Sequence, residues 1–393
     1  MEVGLVGKPN VGKSTFFAAS TRAEVEVASY PFTTIEANRG IGYVTHKCPH
    51  QDLDIDCDPN NAPCIKGTRM VPVELIDVAG LVKDAHSGRG LGNKFLDDLR
   101  QASSLIHILD ASGSTNAEGE PCEKGDHDPK KDVDFLEKEI DHWLKGILED
   151  NWDRVSRKIE VSGADLESTI YNQLSGLGIS EAEVISAMRG LDLPDKPTDW
   201  KSKDLFLLAQ RIRKKGKPMV IAANKADIAT RDELESLQNL DYTVTFTSAE
   251  YELALRKATE SGIVDYVPGE NDFDIIRDDI SKDQKKALGK IKDFMRRNDG
   301  LGVQKTLETA IYNILDMIVV YPVENENDYT DKKGRILPDA YLLKRGSTAE
   351  DLAFTVHTEI GEGFIRAIDA KTNRVIGRDH ELEDGDIIKI VSE

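Results

Sequence analysis

The feature that most constrains this chain lies at its start. An apolar run, Glu2–Val6, passes directly into Gly7-Lys-Pro-Asn-Val-Gly-Lys-Ser14, followed by a helix-compatible Thr15-Phe-Phe-Ala-Ala-Ser20. Strand, glycine-rich loop and helix at that spacing form a phosphate cradle. Gly7 and Gly12 let the backbone N–H groups of Lys8, Pro9-Asn10, Val11 and the residues up to Thr15 curl around phosphate oxygens; proline itself has no N–H to give. Lys13 reaches the β/γ-phosphates and Ser14 offers its hydroxyl to Mg²⁺. The expected fold class is α/β, a P-loop domain. Candidate strands Glu2–Val6, Gly40–Val44, Arg69–Asp77, Ser104–Asp110, Pro218–Ala223 and Tyr242–Phe246 alternate with helix-like segments, as in a mostly parallel sheet. Such sheets bind ligands at the carboxyl ends of their strands.

Three further signals fall at those ends. Val73-Glu-Leu-Ile-Asp-Val-Ala-Gly80 puts Asp77 at the close of a strand, where its carboxylate can hold Mg²⁺ through water, and puts Gly80 where an N–H can approach the γ-phosphate. Met219-Val-Ile-Ala-Ala-Asn-Lys-Ala-Asp227 ends in NKxD. An aspartate there accepts two hydrogen bonds from guanine N1–H and the 2-amino group, a donor pair that adenine lacks, so Asp227 reads the base while Asn224 and Lys225 brace it. Ser248-Ala249 follows the next strand, where a backbone amide can meet the guanine O6. Between the phosphate loop and Gly80 lies Tyr30-Pro-Phe-Thr-Thr34, in which Thr34, or alternatively Thr33, can close over Mg²⁺ and the γ-phosphate.

The 393 residues suggest two to three domains. Apolar positions from Val133 to Ile159 recur at three and four residues, predicting one long amphipathic helix, and 131–203 reads as a helical insertion protruding from the sheet domain. The G-domain pattern thus occupies 1–130 and 204–317, with further helices over Asp283–Arg297 and Val303–Met317. From 318 to 393 short strands surround one helix starting near Thr348, the pattern of a small α+β domain.

With 51 basic against 71 acidic residues, the balance of −20 argues against a surface that wraps nucleic acid over its whole extent. From Ile318 onward the count is 10 − 16 = −6, yet Lys332, Lys333, Arg335, Lys344 and Arg345 cluster, and Phe364 offers a stacking face. No apolar run is long enough to span a bilayer, and the opening residues lack a signal-peptide pattern, so a cytoplasmic protein with no membrane partner is expected. Cys48, Cys57, Cys64 and Cys122 are too few for a disulfide framework. Three of them, with His46 and His50, share the stretch Thr45–Arg69, but the spacing is irregular and lacks a CxxC pair. Unligated thiols in a surface loop are expected there.

With these elements in order, the chain resembles the Obg-family GTPases and, within them, the YchF branch in an archaeal-type form. GLVGKPNVGKSTFF, YPFTTIEANRG, DVAGLVKDAHSGRGLGNKFLDDLR and LIHILDASG carry the resemblance, and GRILPDAYLLKRGSTAEDLAFTVHTEIGEGFIRAI with HELEDGDIIKIV is similar to a TGS domain of β-grasp fold. The resemblance implies that Leu81 stands where Ras-like enzymes have a water-orienting glutamine, that His107 takes over this role, and that Asn10 accompanies a K⁺ site. It also implies ribosome or RNA contact through the TGS domain and the helical insertion. Many members of the branch have lost the NKxD aspartate and accept ATP, whereas Asp227 is kept here. The expectation is a monomeric, slow GTP-hydrolysing switch that binds GTP and GDP, with Lys13, Thr34, Gly80 and His107 in catalysis and Ser14, Thr34 and Asp77 around Mg²⁺. An ATPase of the same fold, or a nucleotide-dependent scaffold without significant hydrolysis, is the alternative.

Overall fold

The computed structural model describes residues 2–21, 38–78 and 91–393, excluding the side chains of 91–94. Seven strands build the first sheet: β1 (Glu2–Val6), β2 (Arg39–Lys47), β3 (Cys64–Ile65), β4 (Thr68–Asp77), β5 (Ser104–Asp110), β6 (Met219–Asn224) and β7 (Val244–Phe246). Their order is β2-β4-β1-β5-β6-β7, with β3 paired to β4. The neighbours from β4 to β7 run parallel, and β2 and β3 lie antiparallel to β4. Parallel pairing brings the ends of β1, β4, β5, β6 and β7 to one rim, so the loops that follow Val6, Asp77, Asp110, Asn224 and Phe246 converge there.

Strands β5 and β6 are buried at every residue, as the centre of a sheet covered on both faces requires. On one face pack helices Leu91–Gln101, Lys130–Glu149 and Ser202–Gly216, where Phe95, Leu99, Leu136, Ile140, Trp143, Leu208 and Ile212 join Leu105, Leu109 and Ile221 in one cluster. On the other lie Lys13–Thr21, Ala249–Glu260 and Val303–Glu308.

The helical insertion differs from its expectation in two respects. The Val133–Ile159 periodicity is divided between helices Lys130–Glu149 and Trp152–Ser162, because Asn151 leaves helical geometry at φ −129°. Trp152 then stacks on Trp200 at 5.0 Å and donates its indole N–H to the Pro197 carbonyl at 3.1 Å. The hydrophobic stripe therefore continues across the break, and periodicity alone does not register it. Nor does the insertion stand away from the sheet. Ile170, Leu174, Leu177 and Val184 share a cluster with the sheet's own core, so its root is a second layer of that core.

Helix Lys282–Asn298 follows a small β8 (Val264–Asp265) and β9 (Asp274–Ile275) ribbon. The expected helix Val303–Met317 is α-helical only over Val303–Glu308; Thr309–Ile314 widen into a π-turn and Asp316 turns left-handed at φ +52°. The chain then enters the second sheet through β10 (Met317–Val323), joined by β11 (Tyr341–Lys344), β12 (Phe364–Asp369), β13 (Arg374–Ile376) and β14 (Ile387–Ser392). Its order is β11-β10-β14-β12-β13, with only β10 and β14 parallel. Helix Ala349–Val356 covers it, capped by Thr348 and Asp351 in a reciprocal box. Phe364 is 5% exposed within this core, so it presents no stacking face. The expectation misread it because alternation in a short strand leaves the buried face undecided.

The basic cluster is also partly neutralised. Arg335 pairs with Asp331 at 2.7 Å, Arg345 with Asp316 at 2.9 Å and Lys332 with Glu324 at 3.3 Å. The two sheets share apolar contacts, since Tyr321, Val319 and Ile387 of the second join Val44, Val71 and Val73 of the first in one buried cluster. No described helix is long and apolar enough to cross a membrane.

Candidate nucleotide site

At the carboxyl rim, a cavity of about 430 Å³ is lined by Lys8, Pro9, Asn10, Gly12, Lys13, Ser14, Thr15, Asn224, Lys225, Asp227, Ile228 and Glu250. Residues 200 positions apart in the chain thus share one wall. The loop after β1 is held open by backbone geometry that few residues tolerate. Asn10 sits at φ +64° and Gly12 at φ +94°. A Cβ on Gly12 would come within 2.3 Å of the Asn224 amide nitrogen, and one on Gly7 within 2.7 Å of the Ile108 carbonyl oxygen. Gly7 and Val11 lie beneath the cavity rather than on its wall.

Asn224 joins three segments. Its amide nitrogen donates to the Val11 carbonyl at 2.9 Å, while its oxygen accepts from the Ala249 N–H at 3.0 Å and the Thr247 hydroxyl at 3.2 Å. The phosphate loop, the end of β6 and the start of helix Ala249–Glu260 are thereby fixed to one another. The Ser248 amide donates to Leu301, and Ser248's hydroxyl caps the helix. The amides of Ser248 and Ala249 are thus engaged within the protein, and these residues act as braces. Glu250 stands on the wall instead, a placement with no signal in the sequence.

Lys225, at φ +58°, directs its ammonium to Asp110 at 2.8 Å and to the Thr115 hydroxyl at 3.3 Å. Asp110 also accepts from Ser112 and Ser114, at 2.6 and 2.8 Å, and from Thr115. Burial alone would raise the Asp110 carboxyl, but the Lys225 ammonium and these hydroxyls outweigh it and hold Asp110 below the usual aspartate range. Asp110 was not singled out in the sequence, although its position at the end of a strand beside the nucleotide loops is the kind of signal that found Asp77. Lys8 lines the cavity with its ammonium tied to Asp132 and the Thr115 carbonyl, both at 2.8 Å. The Asn10 amide nitrogen donates to the Gly119 carbonyl at 2.8 Å, leaving its oxygen as the atom a K⁺ ion would use.

The Lys13 ammonium donates to the Asp77 carboxylate and to the Val78 carbonyl at 2.6 Å. Lys13 and Asp77 are therefore adjacent, joined through neighbouring strands β1 and β4. Asp227, half-buried, faces the same cavity. Thr33, Thr34, Gly80 and Leu81 lie outside the described residues. His107, in the middle of β5, is fully buried, and neither ring nitrogen has a partner among the described residues. Burial, with a smaller contribution from the Lys8 charge, lowers its pKa to about 3 and keeps the imidazole neutral.

Three family models match successive parts of this architecture: a 50S ribosome-binding GTPase over residues 2–149, an Obg-like GTPase YGR210-like, G4 motif-containing domain over 222–325, and a TGS domain over 328–392. The GTP-binding protein MJ1332 of Methanocaldococcus jannaschii is 51% identical, with 99% of this chain and 98% of that protein covered. The chain belongs to the Obg-like GTPase family. A GTP-binding protein from Pyrococcus horikoshii OT3 has a solved structure that covers all of this Obg-like chain and is itself wholly covered, with 40% identity and a TM-score of 0.78. The relation to YchF is more distant: the ribosome-binding ATPase YchF of Bacillus subtilis is 26% identical, with 99% of this chain and 98% of that protein covered. The Schizosaccharomyces pombe YchF GTPase shares the fold at TM-score 0.58 and 17% identity, over 100% of this chain and 97% of that one.

Proposed function

We propose that this Obg-like protein hydrolyses GTP to GDP and phosphate as a slow switch, and that its nucleotide state governs binding to the ribosome. The observation that carries the reading is Asp227 on the wall of the cavity that also holds Lys13, with Asn224 bonded to both surrounding loops. Asp227 accepts from the guanine N1–H and 2-amino group, and the loop amides with Lys13 hold the β/γ-phosphates. Ser14 and Asp77 are hard oxygen donors beside that lysine, a chemistry that fits Mg²⁺, with Thr34 completing the set. When bound, Mg²⁺ would supply charge neutralisation to the nucleotide phosphates.

Entry of the triphosphate would draw Lys13 from Asp77 to a phosphate, leaving a carboxylate able to hold Mg²⁺ through water. The sequence assigns the Gly80 N–H to the γ-phosphate, and Asn10 would supply its amide oxygen to K⁺. The water-positioning role that the resemblance implies for His107 would need a change in its surroundings, because the ring is neutral, fully buried and off the cavity wall, with no partner among the described residues. With no glutamine and no arginine finger in this set, intrinsic turnover of roughly 10⁻³–10⁻² s⁻¹ is expected. Ribosome association draws on the names of the bacterial YchF relatives.

The experiment is competition of GTP and ATP against a fluorescent nucleotide in Mg²⁺ with KCl or NaCl, together with phosphate release. GTP preference that disappears in Asp227→Ala supports the reading. Equal or stronger ATP binding overturns the guanine assignment and makes the protein an ATPase of the same fold. Absence of phosphate release in either salt leaves a nucleotide-dependent scaffold. Cosedimentation with ribosomes in a non-hydrolysable GTP analogue but not in GDP is the expected result for the switch.

A further inference from the structure

Between β2 and β4 the chain takes a detour that the nucleotide site does not use. Cys48 follows the last residue of β2, with its N–H bonded to the Gly67 carbonyl at 2.9 Å. His50 opens the short helix His50–Leu53, Cys57 lies in the loop beyond the left-handed Asp54, and Cys64 begins β3 in register with Arg69 of β4. The spacing Cys-X-His-X₆-Cys-X₆-Cys looks irregular on paper. In space, the ligand atoms of Cys48, His50, Cys57 and Cys64 all lie within 4.8 Å of one another. The Cys48 and Cys57 sulfurs are 4.0 Å apart, and the Cys64 sulfur is 3.7 Å from Nδ1 of His50. A tetrahedral ion bound at about 2.3 Å would space neighbouring sulfurs at about 3.8 Å. All four cysteines of the chain are free thiols. Nearby His46 is not part of the set: its ring bonds Tyr321 at 2.8 Å and Asp384 at 3.1 Å.

A second observation concerns charge. Arg69 is fully buried beside this cluster. Its guanidinium donates to the carbonyls of Ala62, at 2.8 Å, and Leu337, and Nε has no partner. Among the described residues no carboxylate forms an ion pair with it. A buried cation without an anion is costly. Three thiolates and a neutral imidazole around a divalent ion leave one net negative charge, the complement of this guanidinium.

We propose that Cys48, His50, Cys57 and Cys64 bind a zinc ion in a closed structural site, which clasps the G domain to the C-terminal domain. Three sulfurs and an imidazole select zinc over Mg²⁺, and four protein ligands leave no open position for catalysis. The clasp is the loop enclosed by the ligands. Within it Asp58 and Asn60 donate their N–H groups to Ile336 and Pro338 at 2.9 and 2.7 Å. Asn61 bonds the backbone of Ala340 in both directions, at 3.0 and 2.9 Å. Fixing Cys57 and Cys64 to Cys48 and His50 holds this loop at both ends against the 336–340 segment.

The test uses the full-length chain, expressed with zinc and purified under reducing conditions, with metal measured by plasma mass spectrometry. One zinc per chain is expected, and cobalt substitution should give thiolate charge-transfer bands and the strong d–d absorption of a tetrahedral site. Cys57→Ser and Cys64→Ser should lose the zinc, whereas Cys122→Ser should keep it. Chelation of the intact protein guards against variants that fail to fold: the Asp58 and Asn60 amides should exchange hydrogen faster while fluorescent GDP stays bound. Protein that takes up no zinc, with every thiol titratable or two of them oxidised to a disulfide, would overturn the site. Zinc retained in both serine variants would overturn it as well. Unchanged exchange after zinc removal would overturn the clasp.

Discussion

The rim of the parallel sheet and the detour between β2 and β4 both gather polar residues, but they do so in opposite ways. At the rim, most ligand-facing groups come from contiguous stretches, Gly7–Ser14 and Asn224–Asp227, whose backbone geometry is itself the recognition device. Such sites are written in order along the chain. In the detour, four side chains from a strand end, a helix, a loop and a hairpin converge because β3 folds back on β4. On the proposed readings, the rim selects its ligand through backbone amides and one carboxylate, the detour through side-chain donors whose spacing in sequence means little.

The sharpest way to break this contrast is at Lys13, the rim cation bonded to Asp77. Lys13→Ala should lower hydrolysis by about 10²–10³-fold, the usual cost of removing one preorganised charge donor, while the folded chain keeps its thermal transition and the metal content of the unsubstituted protein. Next in size is Asp227→Ala. Removing a charge-assisted acceptor of two hydrogen bonds should weaken GTP by roughly 10–100-fold and leave ATP nearly unchanged in the same titration. A Gly12→Ala change, forcing a Cβ into a φ of +94° and against Asn224, should cost about 1–3 kcal/mol in denaturant unfolding and weaken nucleotide in parallel.

On the other side of the comparison, Asn61→Ala removes both bonds to Ala340 and should destabilise the chain by about 1–3 kcal/mol, with GTP affinity unchanged. Smallest near neutrality, and growing only in acid, is the effect of His107. Folded, it titrates near pH 3; unfolded, near 6.5, so the unfolded chain takes up the proton first. Its contribution to stability is full above pH 6.5 and declines as pH falls toward 3. In His107→Phe, urea midpoints should fall less steeply over that window. An equally steep decline in the variant would assign the pH dependence to other groups such as Asp110, whose depressed carboxyl loses its contribution at the acid end.

The legibility of these features follows the range of the forces involved. The β1 strand, its loop and the NKxD strand were readable because burial on both faces demands apolar runs and because a phosphate loop demands glycine at set intervals. The break at Asn151 was hidden because Trp152 continues the stripe it interrupts. Phe364 was misjudged because one residue of register decides which face is buried. Asp110 and Glu250 reach the site only through the pairing of β5 with β6 and the docking of helix Ala249–Glu260.

Local patterning indicates a P-loop sheet followed by a small α+β module, because hydrophobic periodicity and backbone conformational limits act over a few residues, and the resemblance to TGS domains implies that the module is a β-grasp. Only the tertiary structure decided that the insertion roots in the sheet's core, that Asn224 ties three segments together, and that Cys48, His50, Cys57 and Cys64 meet beside a buried Arg69. Those outcomes depend on distances between residues far apart in the chain, which the folded core alone sets.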